Sequence, residues 1–435
     1  MPIIPQSLYD RLERSPLPPA VVVGTDVTGA SVARALAAHG VQVIGVDECV
    51  RRYIGHSRAF QHVHLVSQGF REVGIVRELE ALAAALPRRA VLFLSMDHHV
   101  TIIGAHGQHL RDHFIFEFST GRAVELLMDK QRFADHAADR GWPVPRTFSC
   151  DNATDIETPA TRATFPVILK PRVKTPVFAS NSRCKVYRCD SAESLRDTYR
   201  LVSQWEPGVI VQEWIPGGDG DVYFSFHYLG QDGSQVGTFE GRKLRQYPPE
   251  CGNTTAAVPV AEPALEALSL EILRTSGAVG FCAVEYKRDP RTGTHYIMEP
   301  TIGRVNLQIG TAIANGANIP WAAYRHLAGL PPEKAPMPPR PRTWVYLKND
   351  LKSARYHLKQ GNITWREYLA SMAGPKAFAV WRWNEFRMAQ AIVPHQVGRV
   401  WHFVAKRVRL ARHPSFWNRP AFRRLYPYLF LPAIF

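Results

Sequence analysis

The segment GVIVQEWIPGGDGDVYFSFHYL, Gly208–Leu229, sets an apolar strand on either side of a Gly/Pro elbow that carries two aspartates. Upstream of it lies FPVILKPRV, Phe165–Val173, a continuous apolar run ended by Lys170. A lysine at the end of a buried strand is costly unless its ammonium points at something anionic. Between the two, SRCKVYRCDSAESLRDTYR, Ser182–Arg200, places Lys185 in a second strand followed by a helix. Further upstream, MDKQRFADHAADRGWPVPRTF, Met128–Phe148, opens another helix: Asp129 is its N-cap, Phe133 and Ala137 share a face, and Gly141 with Pro143 stops it. Downstream come QVGTFEGRKLRQYPPECGN (Gln235–Asn253), a helix near 263–275, the strand pair of VGFCAVEYKRDPRTGTHYIMEPTIGR (Val279–Arg304) and a closing helix near 306–315.

The region ahead of this block alternates strand and helix. Strands are expected at 20–24, 41–46, 62–66 and 90–95, with helices near 29–39 and 72–86, a small doubly wound domain of right-handed parallel units. Its first unit, AVVVGTDVTGASVARALAAHGVQVIGVD (Ala20–Asp47), offers a helix N-terminus to a phosphate and an acid, Asp47, to a ribose. The glycine spacing argues against a dinucleotide: Gly24 and Gly29 stand five apart, and Asp26 would repel a pyrophosphate. The two glycines are better read as a tight turn with close packing, and Asp47 as a cap. His98 and His99, after FLSMD, face apart as neighbours and are expected to be satisfied loop histidines.

At 435 residues the chain exceeds a single core, and with 46% hydrophobic and 21% charged residues it is globular. No stretch approaches ~18 to 20 uncharged apolar residues, and the N-terminus lacks a signal-peptide plan, so a cytoplasmic enzyme is expected. The six cysteines include no Cys-x-x-Cys and read as thiols in a reducing compartment. The net charge of +15 is uneven: Phe386–Phe435 holds nine Lys or Arg and no Asp or Glu.

The order of the Asp-Lys helix start, PVILKP, VQEWIPGGD, VEYKRD and YIMEP resembles the ATP-grasp superfamily, the fold of D-alanine:D-alanine ligases, biotin carboxylases and carboxylate-amine ligases. The resemblance spans about Ala20 to about Leu330. It implies an α/β and α+β architecture with an N-terminal doubly wound pre-grasp domain (1–125) and a two-lobed ATP-grasp domain (126–330) holding ATP between antiparallel sheets. A proline-rich linker (331–342) and a basic, aromatic, mostly helical C-terminal extension (343–435) follow.

The resemblance also implies residue roles. Lys130, Lys170 and Lys185 match phosphate-facing lysines, and Gln212, Glu213, Trp214 and Ile215 match a hinge whose backbone reads adenine. Asp219 or Asp221 would receive the ribose hydroxyls, Asp219 being preferred for its distance from Ile215, with turn formation as the alternative for either. Glu285 and Glu299 would ligate magnesium or manganese, since both lie in apolar runs of neighbouring strands where an unpaired charge is destabilising. Many relatives place Asn two residues after the second Glu; Thr301 stands there, leaving Thr301, Asn306 or water as a third ligand. Alternation puts Lys243 and Arg245 on one strand face, and Arg304 is expected at a developing acyl phosphate; these are the catalytic candidates, while Arg242 reads as solvated.

The expected function is an ATP- and magnesium-dependent ligase joining a small-molecule carboxylate to an amine through an acyl phosphate, releasing ADP and phosphate. A non-catalytic ATP-binding module and an NAD-dependent oxidoreductase are the alternatives. Retention of Glu285 and Glu299 disfavours the first and the glycine spacing disfavours the second. The acid, the amine and the oligomeric state are not fixed by the sequence. Within the tail, VGRVWHFVAKRVRL (Val397–Leu410) has the layout of an in-plane amphipathic helix for an anionic inner membrane face, with packing on the enzyme body as the alternative. No nucleic-acid motif accompanies the charge.

Overall fold

The computed structural model describes residues 3–48, 56–66, 72–173, 176–182, 186–206, 208–333 and 337–381. The tail carrying the expected membrane helix, and Lys185, lie outside the described residues. The first sheet joins β1 (Ala20–Val23), β2 (Val43–Asp47), β3 (Phe60–Leu65), β4 (Ala90–Leu94) and β5 (Phe114–Ile115) in the order β3-β2-β1-β4-β5, all parallel. The central strands AVVV, VIGVD and AVLFL are buried throughout, as a sheet covered on both faces requires.

The turn after β1 is closed by the protein itself. Asp47 is fully buried, and its Oδ2 accepts hydrogen bonds from Thr25 N at 2.8 Å and Thr25 Oγ1 at 2.6 Å. Asp26 caps the helix Val27–Ala37 by accepting from Gly29 N at 2.9 Å. Gly24 takes φ +92°, and a Cβ at Gly29 would lie 1.9 Å from Gly24 O. These glycines therefore serve the turn and its packing.

The second sheet contains β6 (Thr147–Cys150), β7 (Val167–Pro171), β8 (Tyr187–Cys189) and β9 (Val209–Glu213) in the antiparallel order β6-β9-β7-β8. Val167, Leu169, Val209 and Val211 point into one small core with Leu195, Tyr199 and Val202 of the helix Ala192–Val202. This lobe carries Lys170 and the hinge on neighbouring strands.

The third sheet is built from β10 (Val222–Leu229), β11 (Gln235–Tyr247), β12 (Asn253–Pro259), β13 (Gly280–Arg288), β14 (His295–Ile302), β15 (Thr343–Val345) and β16 (Lys376–Phe378), ordered β14-β13-β10-β11-β12-β15-β16. Among the described residues beyond 342, helices predominate, and two short strands that were not expected join the large sheet. Helices Leu347–Gln360 and Trp365–Ser371 are present, but β15 and β16 continue the large sheet. Trp344, 1% exposed, shares one core with Val22 and Leu36 of the first domain and with Phe224 and Phe226 of the large sheet. Arg34 of the first domain donates to Ala379 O and Val380 O at 3.0 and 2.9 Å. The strands were missed because three-residue runs owe their pairing to the sheet beside them and leave little pattern of their own.

His98 and His99 stand in the first turn of the helix Asp97–Leu110 rather than in a loop, with His99 buried. None of the described helices is long and apolar enough to cross a membrane.

Candidate active site

A cleft with a cavity volume of about 620 Å³ separates the four-stranded from the seven-stranded sheet. Its floor is set by β13 and β14, whose register places Glu285 directly opposite Glu299, with a one-residue slip beyond Glu285. Directly opposed residues of an antiparallel pair bring their side chains together on one face, which places both carboxylates in the cleft. Among the described residues an ammonium stands beside each of them. Lys243 Nζ lies 2.8 Å from Glu285 Oε2, and Lys130 Nζ lies 3.8 Å from Glu299 Oε1. Lys243 is buried and Lys130 half-buried, while Glu285 and Glu299 are 37% and 40% exposed at the cleft.

The opposite wall is the small lobe. Lys170, 8% exposed at the end of β7, donates to Gln212 Oε1 at 2.9 Å, and Gln212 Nε2 donates to Thr147 Oγ1 at 3.0 Å. The Gln212 side chain thus holds the lysine in place. Glu213, Trp214 and Ile215, expected as the hinge, line the cleft; Glu213 Oε1 accepts from Thr164 N at 2.7 Å. Lys130 follows Asp129, which caps the helix Lys130–Asp139 by accepting from Gln131 N at 2.9 Å and Arg132 N at 3.1 Å. That helix start delivers the Lys130 ammonium to Glu299.

Two expected ribose acceptors are engaged elsewhere. Asp219 is 5% exposed and accepts from Gln246 N (3.0 Å), Gln246 Nε2 (3.0 Å), Glu250 N (2.9 Å) and His357 Nε2 (2.9 Å). Burial pushes its carboxyl upward, but the donors, His357 foremost, outweigh that and hold it below the ordinary aspartate value. Asp221 accepts from Gly218 N at 2.8 Å, the turn role weighed against the ribose. Neither lines the cleft.

Arg245 also departs from its expected place beside Lys243. The β11–β12 register slips on both sides of Arg245, so the alternation of faces is broken there. Lys243 Nζ instead lies 3.2 Å from Gln246 Oε1 on the cleft side. Arg245 turns to the C-terminal segment, donating from Nε and Nη2 to Asp350 at 2.8 and 3.0 Å and from Nη1 to Ser371 Oγ at 2.7 Å, with Tyr368 stacked at 4.9 Å.

Arg304 lines the cleft and is tethered from two directions. Its Nε donates to Asp97 of the first domain, and its Nη1 donates to Asn306 Oδ1 at 2.7 Å. Asn306 is thereby drawn toward the arginine, while Thr301 remains on the same strand face as Glu299. The sequence reading had no role for Asp97, Lys287 or Glu250, all of which line the cleft. Lys287 stands two residues after Glu285 on β13, so strand alternation faces it inward as well.

Among the described residues no group of three or more His, Cys, Asp or Glu gathers as a metal cage. The donor set suits magnesium nonetheless, because that ion is usually held by one or two carboxylates plus substrate phosphates and water. Lysines on both walls suit the phosphates themselves.

Comparison with solved structures follows the same lines. The N5-carboxyaminoimidazole synthetase of Staphylococcus aureus, complexed with ADP, aligns over 79% of this chain and 86% of its own at a TM-score of 0.60 and 12% identity. The N5-carboxyaminoimidazole ribonucleotide synthetase of Thermus thermophilus aligns over 74% and 82% at 0.56 and 18% identity. The biotin carboxylase domain of a Hydrogenobacter thermophilus 2-oxoglutarate carboxylase, bound to MgADP, ADP and bicarbonate, aligns over 72% and 70% at 0.56 and 14% identity. At such identities the likeness is one of fold, and the fold is ATP-grasp. No protein-family model and no curated protein matches the sequence significantly.

Proposed function

We propose that the protein is an ATP- and magnesium-dependent ligase that joins a carboxylate to an amine, releasing ADP and phosphate. The observation carrying this reading is the direct opposition of Glu285 and Glu299 on the cleft floor, each with a lysine ammonium beside it. Glu285 and Glu299 would hold magnesium, with Thr301 next to them; the ion supplies charge neutralisation between the phosphates. Lys130 and Lys170 would hold ATP phosphates, and the Glu213–Ile215 hinge would receive the adenine. A carboxylate substrate then attacks the γ-phosphate, and the resulting acyl phosphate is captured by the amine. Arg304, fixed by Asp97 and Asn306, faces the cleft where such an acyl phosphate develops charge. Lys243, on the same floor, offers a second cation to that charge. Such preorganised cations act mainly by positioning and electrostatic stabilisation.

The reading is tested by incubating the protein with ATP, magnesium and pooled carboxylates and amines, then identifying the nucleotide product and any new amide by mass spectrometry. ADP, phosphate and an amide are expected. AMP and pyrophosphate would replace the acyl phosphate with an adenylate, and ATP left intact across the pool with no amide would remove the ligase reading.

A further inference from the structure

Lys287 is 4% exposed, lines the nucleotide cleft, and its Nζ has no hydrogen-bond partner among the described residues. An ammonium taken out of water with all three donors unused is among the least favourable groups a protein can bury. Compensation is partial: the charges of Asp219, Glu250 and Asp221 act on the ammonium without a hydrogen bond to it, and Nζ lies 4.8 Å from the centre of the Trp214 ring. The indole ring is shared, with the Arg188 guanidinium 5.1 Å from its centre. A ring face attracts the cation but accepts none of its hydrogen bonds in the ordinary geometry.

The position along the strand narrows what the missing acceptor is. On β13, Glu285 faces the cleft opposite Glu299, and Lys287 is the next residue on that face. With phosphates and metal at the glutamates, the step from Glu285 to Lys287 leads toward Trp214, hence from phosphate toward nucleoside. The two aspartates of the elbow act on Lys287 through their charge but do not accept a hydrogen bond from it, Asp219 being enclosed by four other donors and Asp221 bonded to Gly218 N. Glu250, whose backbone takes φ +69°, lines this part of the cleft instead.

We propose that Lys287 is a nucleoside-reading residue of the ATP site, donating to a ribose hydroxyl or to N7 of the purine ring. This rests on the ATP-binding reading above. It assigns specificity to a side chain of the large sheet, where the sequence resemblance assigns it to the hinge backbone and an acid of the elbow.

The test is calorimetric titration of the full chain and of Lys287→Met with ATP, 2′-deoxy-ATP, 3′-deoxy-ATP and 7-deaza-ATP, alongside the melting temperature of each apo protein. Lys287→Met is expected to bind ATP about 10- to 100-fold more weakly, as loss of a charge-assisted hydrogen bond predicts, while melting no lower than wild type because a buried unpaired charge is gone. The analogue lacking the acceptor should bind wild type weakly and the two proteins alike, which separates ribose from ring. Wild-type affinity of Lys287→Met for ATP overturns the inference while leaving the ATP site standing. Equal binding of all four nucleotides by wild type overturns it without the variant. Failure of wild type to bind ATP at all removes the parent reading instead.

Discussion

Arg245 of β11 and Asp350 of the helix Leu347–Gln360 form a two-point ion pair at 2.8 and 3.0 Å, with side chains 6% and 0% exposed. Thr255 Oγ1 donates to the same carboxylate at 3.0 Å, so the Asp350 charge is satisfied from two strands at once. The pair is the means by which the segment after the proline-rich linker is locked to the large sheet. It is an elongation of the fold's core, remote in sequence by about a hundred residues from its partner.

From this pair the first prediction follows. Asp350→Ala leaves a guanidinium buried without its counter-charge and should destabilise the protein by about 3 to 5 kcal/mol. The double variant Arg245→Met with Asp350→Leu should recover most of that loss. Urea unfolding of the wild type and the two variants checks it; an Asp350→Ala protein as stable as wild type removes the lock.

A second prediction concerns the cleft floor. Glu299→Gln preserves the shape of a side chain that is 40% exposed, so the fold should persist. Turnover should fall by at least ~10²-fold as one negative magnesium ligand is lost. Circular dichroism and ADP release measured together decide it, near-normal ADP formation being the outcome that displaces the metal from Glu299.

ATP and NAD separate in a third experiment. Lys170→Ala should lose the rise in melting temperature that ATP confers on wild type, because ligand stabilisation follows affinity for the native state. Asp47→Ala should melt lower without ligand, since Thr25 N and Oγ1 lose their acceptor, yet keep the full ATP-induced rise. A stabilisation by NAD that depends on Asp47 is the contrary result.

The fourth prediction is a pH dependence. Burial, with a smaller contribution from Arg274, lowers the His227 imidazole from 6.5 to about 4. Its ring nitrogens already meet Ser225 Oγ at 2.7 Å and Thr238 Oγ1 at 3.3 Å. The unfolded chain therefore binds a proton between pH 6.5 and about 4 that the folded protein does not, and stability falls as pH drops through that window. Replacing His227 with Gln should flatten this part of the stability profile, measured by denaturant unfolding at fixed pH values.

Much of the site was legible in the residues because its chemistry is local. Lys170 terminates an apolar run, Asp129 precedes the helix that carries Lys130, and Glu285 and Glu299 interrupt apolar strands joined by a short hairpin. Strand alternation and helix capping are properties of a few consecutive residues, so each of these positions could be assigned without knowing the neighbours. Gly24 and Gly29 belong with them, their spacing arguing for a tight turn, whereas Asp47, expected to cap the next segment, instead reaches back to Thr25 and closes that turn.

What alternation could not reveal was decided by contacts distant in sequence. A register slip in β11 sends Arg245 to Asp350 while Lys243 stays with Glu285, and no feature of GRKLRQY marks that slip. Asp219 reads as a ribose acceptor beside the hinge, yet its fate is set by His357, 138 residues away. β15 and β16 exist because β12 presents a free edge that three residues can pair with. The sequence by itself thus determined the strand and helix order, the cap and the glycine turn through short-range sterics and periodicity, while the charged residues of the cleft were named by the resemblance of their motifs. Only the tertiary structure decided which buried charge meets which, because the free energy of an ion in a protein interior depends on partners that the chain brings together from elsewhere.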